Sequence, residues 1–151
     1  MTRILVLAHS PLASALREVA SHAFPDCAPG IDAVDVEADQ DADGLEALLR
    51  LRLQAPGDPE TLILVDVFGA TPCNVALRVA DGVHARVLTG VNVPMLWRAL
   101  CYRNEPLDTL VERACIGATQ GVMSVAQTRR QHQSQPALSP AHDQVQHSHQ
   151  Q

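Results

Sequence analysis

Two short runs of near-continuous apolar residues, Ile4-Leu5-Val6-Leu7-Ala8 and Leu62-Ile63-Leu64-Val65, constrain this chain more than any other feature. A strand wetted on one side alternates apolar with polar residues, whereas a run without alternation suits a strand buried on both faces, as in parallel sheets covered by helices. Each run ends in one polar residue, His9 or Asp66, and each is followed by a hydroxyl-proline pair suited to a helix start, Ser10-Pro11 and Thr71-Pro72. The pattern predicts strands that deliver His9 and Asp66 to strand-to-helix turns. Open α/β sheets carry their chemistry at that place, outside the carboxyl ends of the strands.

The intervening segments fit the same plan. Leu12, Leu16, Val19 and Ala20 recur at helical spacing up to a stop near Phe24-Pro25, and Ile31 to Val36 alternates like a strand near a sheet edge. The acidic stretch Glu37 to Asp43 precedes a second amphipathic helix through Leu45, Leu48, Leu49 and Leu53. It lacks the pattern of a calcium loop and suits capping of a helix N-terminus. Pro56-Gly57-Asp58-Pro59 breaks that helix ahead of strand Thr61 to Asp66. A loop from Val67 to Asn74 is expected to run into a helix from Val75 to Val79. His84 to Leu88 reads as a fourth strand, followed by the loop Thr89 to Pro94, a helix through Met95, Leu96, Ala99 and Leu100, and another through Leu107, Leu110, Val111 and Ala114. Gly121 to Ala126 reads as a last short strand.

Strands alternating with helices predict a doubly wound, mainly parallel α/β sheet, with residues 1–126 forming one domain. From Gln127 or Thr128 the composition turns to Gln, His, Ser and Pro, which predicts a disordered tail over residues 127–151. The tail holds four of the seven histidines, at 132, 142, 147 and 149, with no fixed metal-ligand geometry. Its Arg129, Arg130 and Asp143 make a formal +1, leaving −7 on the rest of a chain whose net charge is −6.

Composition removes several function classes. The acidic balance and the lack of a basic stripe with interleaved aromatics argue against nucleic-acid binding. All 11 basic residues are arginine, so Schiff-base chemistry and a Walker lysine are excluded. Cys27, Cys73, Cys101 and Cys115 show no CxxC spacing and are expected to be free and mostly buried thiols, with no metal site. No apolar run reaches the roughly 18 residues of a membrane span, and no signal peptide is evident, so a cytoplasmic protein is expected.

In the strand order 2-1-3-4, strands one and three are neighbours and their crossovers leave on opposite faces, opening a crevice at which His9 and Asp66 meet. A carboxylate on one imidazole nitrogen fixes the tautomer and presents the other nitrogen as a nucleophile. The helix starts at Ser10-Pro11 and Thr71-Pro72 would offer amides and a hydroxyl to an anion. This combination predicts a phosphohistidine site that needs no cofactor. His22 and His84 are expected to be structural or solvated. A flavodoxin-like ligand-binding module is the competing reading, against which no GxGxxG follows the first strand and few aromatics could stack a ring. The arginine-histidine-glycine signature of a histidine phosphatase is missing around His9.

The blocks Leu64-Val65-Asp66-Val67-Phe68-Gly69-Ala70-Thr71-Pro72-Cys73-Asn74 and Thr89-Gly90-Val91-Asn92-Val93-Pro94-Met95-Leu96, with His9 after the first strand, resemble the mannose-family IIA component of the bacterial phosphotransferase system. The resemblance covers about residues 1 to 126. It implies that His9 accepts a phosphoryl group from the phosphocarrier protein HPr on Nε2 and passes it to a IIB partner or uses it as a regulatory signal. Asp66 matches the aspartate that holds the other ring nitrogen. Phe68, Gly69, Ala70 and Thr71, with Ser10, would line the phosphate site, and Asn92 and Pro94 belong to the third active-site loop. The resemblance further implies a homodimer that exchanges a C-terminal strand, here Gly121 to Ala126, and contact with a membrane only indirectly, through a permease complex. Too few residues follow Ala126 for a IIB domain. Three positions depart from the family pattern: Ser10 and Ala70 stand where glycine is common, and Cys73 where an aromatic is common. The His9-Ser10 pair is also similar to the phosphotransfer subunit of dihydroxyacetone kinase, the nearest alternative.

Overall fold

The computed structural model describes residues 1–54, 57 and 59–124. Strands β1 (Arg3–His9), β2 (Ile31–Val36), β3 (Thr61–Val65) and β4 (Ala85–Thr89) pair in parallel in the order β2-β1-β3-β4. Val6 lies opposite both Ala33 of β2 and Leu64 of β3, so the two apolar runs sit side by side at the centre of the sheet. None of the residues from Ile4 to Ala8 or from Leu62 to Val65 is more than 1% exposed.

Helices cover both faces: α1 (Leu12–Ala23), α2 (Ala42–Leu53), α3 (Thr71–Val79), α4 (Val93–Tyr102) and α5 (Leu107–Gln120). Strand alternation sorts the core in two. Ile4, Val6, Ala8, Leu62 and Leu64 pack with α1, α4 and α5 through residues such as Leu16, Leu96, Leu100 and Leu110. Leu5, Leu7, Ile63 and Val65 pack with α2 and α3 through Leu45, Leu49, Val75 and Ala76. Burying each of these leucine or isoleucine side chains contributes about 1.5–3 kcal/mol, which no one-sided sheet could collect from consecutive positions.

Several elements begin or end differently from the sequence reading. Helix α1 buries Ala13, Leu16 and Ala20, while Leu12 and Val19 stand exposed. Leu16 and Ala20 of the expected stripe are buried as read, and Ala13, whose small side chain suits close packing on the sheet, takes the place of Leu12 and Val19. Pro11, not Ser10, occupies the position before α1, and Ser10 lies outside the helix. Helix α3 starts at Thr71, four residues before Val75, with Ala70 before it and proline in its first turn, where a missing N–H costs nothing. Asp41 caps α2 by accepting from the Gly44 amide at 2.9 Å, as the acidic lead-in implied. In the break after α2, Pro56 and Asp58 lie outside the described residues.

Among the described residues, the first four positions of the expected fifth strand, Gly121 to Ser124, form no strand. Gly121 closes α5, Val122 donates from its amide to the Thr119 carbonyl as the helix unwinds, and residues 122–124 pair with no strand. Val125, Ala126 and the tail lie outside the described residues. Cys73 is buried and Cys27 half-buried, but Cys101 and Cys115 are exposed, because they fall on the outer faces of α4 and α5. These two helices cross closely: a Cβ on Gly117 would stand 2.7 Å from Arg98 Cβ, and one on Gly121 2.3 Å from Pro94 Cγ.

Candidate functional site

Because β1 and β3 are neighbours, their polar end residues meet. Asp66 Oδ2 accepts from the ring Nδ1 of His9 at 2.6 Å and from its main-chain amide at 2.9 Å. Asp66 Oδ1 accepts from the Val67 amide at 2.8 Å. Partial burial works to raise the Asp66 carboxyl, but the His9 amide, the His9 ring and the Val67 amide outweigh it and hold the group below the usual aspartate value. An ionised carboxylate only accepts, so Nδ1 carries the hydrogen and Nε2 keeps its lone pair. The side chain of His9 is 49% exposed against 12% for Asp66, so the ring faces solvent while the carboxylate that orients it is largely shielded.

Phe68, Gly69, Ala70 and Thr71 form the turn from Asp66 into α3. Gly69 has φ of +85° with nothing within 4 Å of a would-be Cβ, so glycine serves the backbone and not a close contact. Ala70, with φ of −86°, needs no such freedom, and the methyl at a position where glycine is common brings no strain. Phe68 is 75% exposed at the rim of the turn.

The loop after β4 joins this site through its main chain. Gly90 donates to the Asp66 carbonyl at 3.1 Å and Val91 to the Val65 carbonyl at 3.0 Å. Asn92 caps α4 by accepting from the Met95 amide at 2.8 Å, and Pro94 lies in the first turn of α4 against Gly121. Neither side chain bonds to His9 or Asp66.

The start of α1 has a carboxylate partner that its own sequence does not announce. Asp35, on β2, accepts from the Ser14 amide at 3.1 Å, so a carboxylate already serves that helix N-terminus. Alternation also groups His9 with Leu5 and Leu7, on the sheet face that packs against α2 and α3. Ser10 contributes its amide to the Val36 carbonyl at 3.0 Å. Asp35 and Asn74, whose side-chain amide donates to the Gly69 carbonyl at 3.0 Å, were not singled out in the sequence. In the sequence Asp35 is a polar residue of an edge strand and Asn74 the end of the expected loop, and neither place signals a distant partner.

His22 is exposed, and His84 bonds through Nδ1 to Asp81 at 3.0 Å in the turn before β4. Asp81 is held well below the usual aspartate range by the amide of Ala85 first, then by the His84 ring and the Val83 and His84 amides. Among the described residues, no three His, Cys, Asp or Glu side chains converge to hold a metal ion, and no helix is long and apolar enough to cross a membrane.

A parallel sheet in this order, with helices on both faces, is the fold of phosphotransferase-system IIA proteins. The mannose/sorbose-specific IIA subunit from Enterococcus faecalis superposes with a TM-score of 0.75 at 23% identity, covering 91% of this chain and 98% of that one. The phosphotransferase-system component EIIA from Streptococcus agalactiae does so with a TM-score of 0.75 at 22% identity, covering 84% and 99%. The chain matches the family described as the PTS system fructose IIA component, EIIA-man, over residues 3–114, and it belongs to that family. The mannose-specific EIIAB component of Escherichia coli strain K12 is 40% identical over 67 residues, which are 42% of this chain and 21% of that longer protein.

Proposed function

We propose that this chain is a phosphohistidine relay protein in which His9 Nε2 takes a phosphoryl group from HPr and passes it to a IIB protein or holds it as a regulatory signal. The observation that carries the reading is the Asp66 carboxylate on Nδ1 of a half-exposed His9, in a member of the IIA family. In the step, the Nε2 lone pair attacks phosphorus while the bond from phosphorus to the donor's ring nitrogen breaks. Nδ1 keeps its proton, and the positive charge gained by the His9 ring is stabilised by Asp66.

The acquired phosphoryl oxygens require donors. Thr71 and the first amides of α3 stand next in the chain, where the helix N-terminus carries about half a positive charge. Ser10, Phe68, Gly69 and Ala70 complete the proposed rim, with Asn92 and Pro94 supporting it from the neighbouring loop. We assign residues 1–126 to this domain, working in the cytoplasm and meeting a membrane only through a permease complex. Exchange of the segment from Gly121 to Ala126 in a homodimer would give exposed Val122 and Met123 a partner.

The test is labelling with phosphoenolpyruvate, enzyme I and HPr. Acid-labile, base-stable label on the wild-type protein and none on His9→Ala is the expected result; label that persists in His9→Ala removes His9 as the acceptor.

A further inference from the structure

Asn74 touches neither His9 nor Asp66, yet two consecutive carbonyls of the turn before α3 end on it. Its side-chain Nδ2 donates to the Gly69 carbonyl at 3.0 Å, and its main-chain amide donates to the Ala70 carbonyl at 2.9 Å. A trans peptide is planar, with its N–H directed opposite to its C=O. Drawing the carbonyls of Gly69 and Ala70 back along the helix therefore turns the amides of Ala70 and Thr71 outward, past the start of α3. Those two amides donate to no group among the described residues. The second is oriented by an ordinary helical bond. The first depends on the asparagine side chain, because Gly69 lies before the helix and its φ of +85° is set by the turn.

The outward direction is the one that matters, because His9 falls on the sheet face packed against α3 and its ring is pinned at the start of the same turn by Asp66. We infer that Asn74 is a positioning residue for phosphoryl transfer: it holds the Gly69–Ala70 peptide so that the Ala70 amide donates to the phosphoryl group on His9. This rests on the reading of His9 as phosphoryl acceptor and adds to it a residue that acts through the backbone. One charge-assisted hydrogen bond contributes about 1.5 kcal/mol, equivalent to roughly a tenfold change in an equilibrium constant. Asn74→Asp keeps the shape but offers the Gly69 carbonyl an acceptor in place of a donor, so that peptide is released.

The experiment measures the equilibrium of phosphoryl transfer from HPr to full-length wild type, Asn74→Asp and Asn74→Ala. It is accompanied by amide proton shifts before and after phosphorylation and by thermal unfolding as a control. Wild type is expected to show large downfield shifts of the Ala70 and Thr71 amides. Both variants should lose the Ala70 shift, keep that of Thr71, remain folded and favour phospho-His9 about tenfold less. Unchanged equilibria and an unchanged Ala70 shift in both variants overturn the role of Asn74 while leaving His9 as acceptor. Absence of label on wild-type His9 overturns the relay itself and this role with it. If the variants fail to fold, the wild-type spectrum decides: an Ala70 amide that does not move on phosphorylation refutes the inference.

Discussion

The turn after β1 and the turn after β3 each leave a polar residue at the end of a buried strand and lead into a helix beside a proline, but they are provisioned differently. The first carries His9, the proposed nucleophile, and the start of its helix is served by a carboxylate from the next strand, Asp35 on the Ser14 amide. The second carries the orienting carboxylate, and its helix begins with Ala70 and Thr71 amides that no carboxylate contacts among the described residues. A helix N-terminus attracts anions through free amides and a partial positive charge. Where Asp35 already supplies the negative charge, a phosphoryl group gains less. On the proposed reading the two turns divide the labour, the first carrying the attacking nitrogen and the second the amides that receive the anion.

The largest expected effect comes from crossing the gap between the turns. Asp66→Asn keeps the size of the side chain but allows an amide to face Nδ1, which frees the other tautomer. Transfer to His9 should slow at least about 10²-fold, with the fold intact, because loss of an orienting carboxylate in comparable imidazole sites has effects of that order or larger. Single-turnover labelling against the wild-type rate checks it, and an unchanged rate removes Asp66 from the mechanism.

Asp35→Ala probes the other side of the comparison. It removes a cap-like bond from α1, and thermal unfolding should reveal about 1 kcal/mol of lost stability. Transfer should change by no more than about twofold, a difference of a few tenths of a kcal/mol. A loss as deep as that of Asp66→Asn would mean that both helix starts serve the phosphoryl group and that the contrast between them is false.

The smallest effect is on acid stability. The Asp66 carboxyl lies below the usual aspartate value of about 3.9 in the folded chain, so its contribution is complete above that pH and is lost as pH falls through the lower folded value. The difference in unfolding midpoint between wild type and Asp66→Asn should therefore persist from pH 7 down to about 4 and shrink below it. A difference that shrinks already between pH 7 and 5 would place the titration on another group.

The parts of this molecule legible in the sequence are those written in large, repeated signals. Two unalternating apolar runs specify buried central strands, and the order of strands and helices is enough to bring His9 and Asp66 together. What escaped was written in small residues or in bonds between distant positions. Ala13 joins Leu16 and Ala20 on the buried face of α1 in place of the larger Leu12 and Val19, because a small side chain admits close approach, a property that a pattern of large apolar residues does not display. Gly121 reads in the sequence as the start of a strand, but it closes α5, and like Gly117 it gives way to a side chain of α4. Asp35 lies 21 residues from the amide it serves, so only register reveals the pairing. Asn74 sits in a first helical turn, a place where asparagine is common for local reasons, and its target is a carbonyl that becomes reachable only once Gly69 adopts positive φ.

On the proposed reading both turns serve one atom, the Nε2 of His9, and its role can be read directly. Long-range proton–nitrogen correlation spectra of the imidazole rings, recorded on uniformly nitrogen-15-labelled protein before and after phosphorylation, distinguish the two ring nitrogens. A free ring with its hydrogen on Nδ1, followed by a phosphoryl group on Nε2 with the Nδ1 hydrogen retained, is the expected pair of spectra. Phosphorus bound to Nδ1, the nitrogen that Asp66 occupies, would contradict the arrangement on which the whole site is read.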